Sequence, residues 1–138
     1  MNTLVVDASV ALKWFVPEVH SDAAVRLLES GLALCAPDLV LPELANTLWK
    51  KTRRGEISGD DASSILDAFT KLDVEIIPSA HLVPPALMLA SSLDRTVYDT
   101  LYLTLAIARR GVLITADRKF HLAVTASEVA RYIRWVDE

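Results

Sequence analysis

The sequence predicts an α/β fold built on a parallel sheet. Three observations carry that expectation. Short apolar runs at 3–6, 32–35, 74–77 and 112–115 have the length and composition of buried strands. Helical patterns stand between them, the order of βα units. No internal repeat, low-complexity stretch or shift in composition breaks the 138 residues, so the chain reads as a single domain over 1–138 with one core.

The elements follow in order. Residues 3–6 form a strand that ends at Asp7. Ser9 begins a helix through Val10, Leu12, Lys13 and Trp14, and Pro17 stops it. Ser21-Asp22 caps a second helix to about Ser30, with Gly31 past its end. After the strand at 32–35, Asp38 or Leu41 opens a helix to about Arg54. Gly55 closes that helix, and Pro42 fits its first turn. Ser58-Gly59-Asp60-Asp61 reads as a cap and acidic first turn, leading a helix to about Lys71. The strand at 74–77 is followed by a helix interrupted at Pro84-Pro85 and ending near Leu93. Residues 97–110 give the clearest amphipathic helix, with Gly111 as its stop. The strand at 112–115 runs toward Asp117. Residues 131–136 set Tyr132 and Arg134 against Ile133 and Trp135, the alternation of an edge strand.

Composition excludes several classes. Hydrophobic residues make up 52% and charged residues 23%, too apolar for a disordered or solvating segment. The single cysteine, Cys35, excludes an internal disulfide framework and a cysteine-based zinc finger. No apolar run reaches the ~20 residues that span a bilayer. The N-terminus lacks a basic stretch, and Asp7 falls where a signal peptide is apolar, so a cytoplasmic protein with no membrane partner is expected. The net charge of −4 argues against a protein that coats nucleic acid by charge alone. It leaves room for a nuclease, whose acidic metal site itself lowers the net charge.

Four acids carry the chemistry. Asp7 and Asp117 each fall just past the end of an expected buried strand, the sheet edge where α/β folds bind ligands. Glu43 and Asp99 each fall in the first turn of a helix, and right-handed βα connections return those helix starts to the same edge. All four are embedded in apolar sequence, where an isolated carboxylate is expensive. Two carboxylates about 5 Å apart repel by roughly 3 kcal/mol at an effective dielectric near 20. A divalent cation resolves that conflict, and oxygen-only ligands favour Mg²⁺ or Mn²⁺ over zinc. Taken singly, each acid has an ordinary role as a helix cap or first-turn residue; the joint pattern is the signal. Ser9 and Thr115 stand two residues from Asp7 and Asp117, with hydroxyls suited to a bound water or phosphate oxygen. Asn46 shares a helix face with Glu43.

The segments Val6-Asp7-Ala8-Ser9-Val10-Ala11-Leu12-Lys13-Trp14, Ala36-Pro37-Asp38-Leu39 through Glu43-Leu44-Ala45-Asn46, Val97-Tyr98-Asp99-Thr100-Leu101-Tyr102-Leu103 and Leu113-Ile114-Thr115-Ala116-Asp117-Arg118 together resemble the PIN-domain family. The likeness is to VapC-type toxins of bacterial toxin–antitoxin modules, and it runs in order along almost the whole chain. It implies a three-layer α/β/α fold. It implies an acidic site of Asp7, Glu43, Asp99 and Asp117 binding Mg²⁺ or Mn²⁺, with endoribonuclease activity. It implies a homodimer held by a VapB-like antitoxin, which often inserts a basic side chain into the site.

Such a site works by metal-assisted hydrolysis of RNA. Asp7, Asp99 and Asp117 are the principal ligand candidates, and Glu43 binds a second ion or orients water. Lys13, Arg118 and Lys119 are the candidates for gripping phosphate. Lys50, Lys51, Arg53, Arg54, Arg109 and Arg110 end helices, where cations favour the dipole, and are read that way before any RNA role. Trp14 and Phe15 can stack a base, bind antitoxin or pack, packing being the commoner outcome. His20, His81 and His121 lie outside the motifs and are expected at the surface. The mean hydropathy of +0.33 suits a chain that covers apolar surface with a partner. The main alternative is a non-catalytic PIN-like binding module. A phosphoacceptor receiver needs an acidic pair after its first strand and a lysine after its last, which this chain lacks. A DNA flap nuclease needs helical clamps for which the chain is too short.

Overall fold

The computed structural model describes residues 2–138. Its strands are β1 (Thr3–Val6), β2 (Ala33–Pro37), β3 (Val74–Ile77), β4 (Val112–Thr115) and β5 (Ile133–Trp135). They form one sheet in the order β3-β2-β1-β4-β5, and every neighbouring pair is parallel. The helices are α1 (Ala8–Lys13), α2 (Ser21–Leu28), α3 (Val40–Arg53), α4 (Gly59–Thr70), α5 (Val83–Leu93), α6 (Val97–Ala108) and α7 (Arg118–Thr125).

The chain steps from β1 outward to β3, then crosses back to β4 and β5. Strand order therefore reverses between β1 and β4, and the crevice outside their C-terminal ends is the natural binding position. Right-handed crossovers put the helices of the outward and return legs on opposite faces of the sheet. On one side α6 lies across β1, β2 and β4, with α5 packed on it. On the other, α1 packs against α2 and α3, and α3 against α4. Leu4, Val5 and Val6 of β1 and Leu113 and Ile114 of β4 are almost wholly buried, as strands covered on both faces must be.

Several local expectations need correction. β2 starts one residue later than the apolar run and continues to Pro37. Pro84 and Pro85 do not interrupt α5; they stand in its first turn, where a missing N–H costs no intrahelical bond. Helix α6 is not amphipathic. Residues 100–106 are all buried, because α6 is sandwiched between the sheet and α5, and the Thr100 hydroxyl donates to the Ala86 carbonyl of α5 at 2.7 Å. Gly111 is not the left-handed stop of that helix. Arg110 takes the positive φ, and Gly111 is needed because a Cβ there would collide with the Thr3 carbonyl of the adjacent strand. His121 is buried, edge-on to Trp135, rather than at the surface. His20 is half-buried and packs on the same Trp135 ring, while His81 is exposed.

Candidate active site

The two strand-end acids are placed by local backbone needs. Asp7 caps α1: its Oδ1 accepts from the Val10 N–H at 3.1 Å and from the Ser9 hydroxyl at 2.5 Å. Its Oδ2 accepts from the Thr115 hydroxyl at 2.5 Å. Asp117 caps α7, with Oδ1 accepting from the Phe120 N–H at 3.1 Å. Ser9 and Thr115 tie the two loops together. The Ser9 hydroxyl also accepts from the Ala116 N–H, and the Thr115 hydroxyl from the Asp117 N–H, each at 3.1 Å. Each hydroxyl gives its proton to Asp7 and accepts one backbone N–H, which orients Asp7 and joins the ends of β1 and β4.

The helix acids arrive from both sides of the sheet. Glu43 stands in the first turn of α3, and its Oε1 accepts from the Tyr102 hydroxyl of α6 at 2.5 Å. Asp99 stands in the first turn of α6, which Thr96 caps. Its Oδ2 accepts from Arg95 Nε at 3.2 Å and Nη2 at 2.9 Å. The same guanidinium comes within 3.9 Å of Asp117 and lies over the Phe120 ring.

One cavity of about 250 Å³ is lined by Asp7, Glu43, Asp99 and Asp117, with Ser9, Asn46, Thr47, Lys50 and Tyr102. Its acids feel burial and each other. Burial lifts the Asp7 carboxyl to about 6, against the bonds from Ser9, Thr115 and Val10 that favour its charge, and Glu43 adds a small rise. Burial also raises Glu43, with Tyr102 opposing and Asp99 adding. Asp99 is raised by burial, held down by Arg95 and pushed up by Asp117. Tyr102 is held well above the usual phenol range, by burial first and then by Glu43, so it stays a hydrogen-bond donor. The carboxylates thus form a run of neighbours: Glu43 raises Asp7, Asp99 raises Glu43 and Asp117 raises Asp99. Among the described residues, no three His, Cys, Asp or Glu side chains are already placed to hold one ion together. Each acid is turned to a protein donor: Ser9 and Thr115, Tyr102, Arg95, or a helix N–H. The donor set fits an oxygen-seeking dication in kind: Tyr102 occupies only Oε1 of Glu43 and Arg95 only Oδ2 of Asp99, leaving one oxygen of each carboxylate for an ion.

The chain matches the family described as PIN domain over residues 4–125. It belongs to the PIN-domain family. It is 37% identical over 118 residues to Ribonuclease VapC3 of Pyrobaculum aerophilum, covering 84% of this chain and 90% of that protein. It is 31% identical over 114 residues to Ribonuclease VapC9 of Mycobacterium tuberculosis, covering 83% and 85%. Among solved structures, the fold is similar to PAE2754 from Pyrobaculum aerophilum at a TM-score of 0.74 and 23% identity, covering 98% of this chain and 90% of that one. It is also similar to VapBC2 from Rickettsia felis bound to a promoter DNA fragment, at 0.70 and 18%, covering 96% and 98%. The α/β/α architecture of this PIN domain is thereby accounted for.

The remaining sequence candidates divide. Ser9 and Asn46 line the acid cavity, and Thr115 is wholly buried beneath it. Lys13 is not among the lining residues. Its Nζ donates to the Glu18 carboxylate at 3.0 Å and to the Val19 carbonyl at 2.7 Å, so it serves the turn after α1. Arg118 lies 3.9 Å over the Trp135 ring, and Lys119 is exposed; neither lines the cavity. Trp14 packs, stacked on Phe69 with its indole N–H donating to the Ala24 carbonyl. Sequence reasoning missed Arg95 and the part played by Tyr102. Arg95 is four residues before Asp99 and on the same helical approach, a spacing that signals a charge pair. Tyr102 is three residues after Asp99, but its partner Glu43 lies 59 positions away and only the fold brings them together.

Proposed function

We propose that this protein is a metal-dependent endoribonuclease, the toxin of a toxin–antitoxin module, which hydrolyses RNA phosphodiester bonds at the four-carboxylate site. The observation that carries the reading is the convergence of Asp7, Glu43, Asp99 and Asp117 on one cavity, at the reversal of strand order, in a PIN domain. Relatives named as VapC ribonucleases over more than four fifths of the chain support it.

Asp7, Glu43, Asp99 and Asp117 would hold Mg²⁺ or Mn²⁺. Held by these residues, such an ion would supply Lewis-acid polarisation of the phosphate and a more acidic water. Ser9 and Thr115 keep the Asp7 carboxylate aimed into the cavity. Tyr102, locked in its protonated form, keeps Glu43 oriented toward the same space. Lys50 supplies the positive charge at the rim that a phosphodiester needs. The protein works as a single domain over 1–138, as a homodimer in the cytoplasm, under a VapB-like antitoxin.

The test is cleavage of a mixed RNA pool by the purified, antitoxin-free protein with Mg²⁺ or Mn²⁺, with EDTA, and in the Asp7→Asn and Asp99→Asn variants. Metal-dependent cleavage that disappears in both variants is the expected result. Cleavage that survives EDTA and both substitutions removes the site assignment. No cleavage despite Mn²⁺ binding turns the reading to a binding module.

A further inference from the structure

Beyond the acid cavity, helix α3 carries a stripe whose sign reverses along its length. Glu43, Asn46, Thr47 and Lys50 line the cavity at the i, i+3, i+4, i+7 spacing of a single helix face. The same face continues to Arg53 and Arg54. Lys50 also borders a second, shallow pocket with Trp49, Arg53 and Arg54. Trp49 is 52% exposed, and the Arg53 guanidinium lies 5.1 Å from its ring centre. The neighbouring Lys51 is spent on Glu18 at 3.8 Å and Glu56 at 3.3 Å. No ion pair among the described residues involves Lys50, Arg53 or Arg54.

Cations at a helix C-terminus favour the dipole, and that accounts for their charge. It does not account for a large indole left in water beside them. Sequence-tolerant binding of single-stranded nucleic acid combines unpaired cations along the backbone with an exposed aromatic face for a base. This place adjoins the site where a phosphodiester would be cut, since Lys50 lines both pockets.

We infer that the C-terminal half of α3 is a single-stranded RNA subsite, in which Trp49 stacks a base and Lys50, Arg53 and Arg54 hold the phosphates leading away from the acid cavity. The inference rests on the ribonuclease reading for its ligand. From Glu43 to Arg53 the helix rises about 15 Å, enough for the strand to run several nucleotides beyond the cleaved bond.

The experiment reads binding and cleavage separately. Binding of a short fluorescein-labelled oligouridylate is followed by anisotropy, and its stacking by tryptophan fluorescence, without divalent metal, in the wild-type chain, Trp49→Phe, Trp49→Ala and Arg53→Ala/Arg54→Ala. Far-UV circular dichroism confirms that each variant folds. The expected result is quenching in wild type, loss of that quenching with little loss of affinity in Trp49→Phe, and roughly tenfold or greater weakening in Trp49→Ala. The arginine variant should show a shallower dependence of affinity on salt. In cleavage, Trp49→Ala should raise KM for a long single strand and leave kcat and the cutting of a dinucleotide unchanged. Trp49-dependent binding with no cleavage of any RNA would leave the subsite standing and remove the nuclease reading. Metal-dependent cleavage with RNA affinity and KM unchanged in Trp49→Ala and Arg53→Ala/Arg54→Ala would overturn the subsite alone. Variants unaltered toward RNA but weakened toward a protein antitoxin would overturn it too, assigning the stripe to a protein partner.

Discussion

Asp7 accepts three hydrogen bonds and is still held near a pKa of 6, because it is nearly sealed from water. Its folded-state value lies above the ordinary 3.8. Between those two values the folded protein keeps a proton that the unfolded chain has lost, so this group's contribution is fully present below 3.8 and fades as pH rises through 6. Above that, ionised Asp7 costs the metal-free fold about 3 kcal/mol relative to acid conditions. Asp7→Asn keeps the acceptor for Val10 and Ser9 without the charge. Denaturant melts of the metal-free protein should therefore find the variant more stable at pH 7.5 by about 1–3 kcal/mol, with the gain vanishing near pH 4. An equal or lower stability at pH 7.5 would mean that burial does not govern this carboxyl. Arg95 makes the opposite trade at Asp99: it neutralises the acid while no other cation does. Its loss should cost the metal-free fold about 1 kcal/mol, as part-exposed pairs do. It should also tighten Mn²⁺ binding roughly fivefold, read by titration, since the ion no longer competes with a guanidinium. Weaker Mn²⁺ binding in Arg95→Ala would instead make Arg95 a support of the ion site.

At the scale of elements, the boundaries that sequence located well are those with a chemical stop. Ser58 and Asp61 form a reciprocal cap at the start of α4, and Asp7, Thr96 and Asp117 each cap the helix that follows. The elements read less well are those set by what lies against them. The sequence of α6 looks two-faced, yet the helix is enclosed on nearly every side once α5 covers it. Gly111 looks like a helix stop, yet its constraint comes from Thr3, more than a hundred positions earlier. Gly111→Ala should destabilise the protein by about 1–3 kcal/mol, because β1 or β4 must move to admit the methyl group. A chemical melt measures it. An unchanged midpoint would show that the two strands separate at no cost.

At the scale of the molecule, the site is a collection of costs that the apo fold carries. Asp7, Glu43 and Asp99 are all raised by burial and by the charge of a neighbouring carboxylate. A cation that binds them must displace protons, so its stabilising effect grows with pH. At a hundredfold excess over its dissociation constant, a divalent ion should add about 2.7 kcal/mol. Thermal melts should then shift upward by roughly 10 °C at pH 8 and by clearly less at pH 5.5. A shift independent of pH would mean that the ion binds elsewhere. Apolar side chains left in water on α5, at Val83, Leu87 and Met88, stand away from the residues that line the acid cavity.

The sequence by itself determined the parallel α/β sheet, because buried strands and capped helices write their signals in contiguous residues. It also singled out the four acids, because a carboxylate in an apolar run is costly wherever the chain later goes. The tertiary structure alone decided how those acids are held. Tyr102 meets Glu43, Thr115 meets Asp7, and Arg95 reaches Asp117, through contacts between residues far apart in the chain. It also withdrew Lys13 into its own turn and set Lys50 at the rim. Which cation faces a cavity depends on helix rotation and on competing partners, and neither is written in the spacing of residues along one segment.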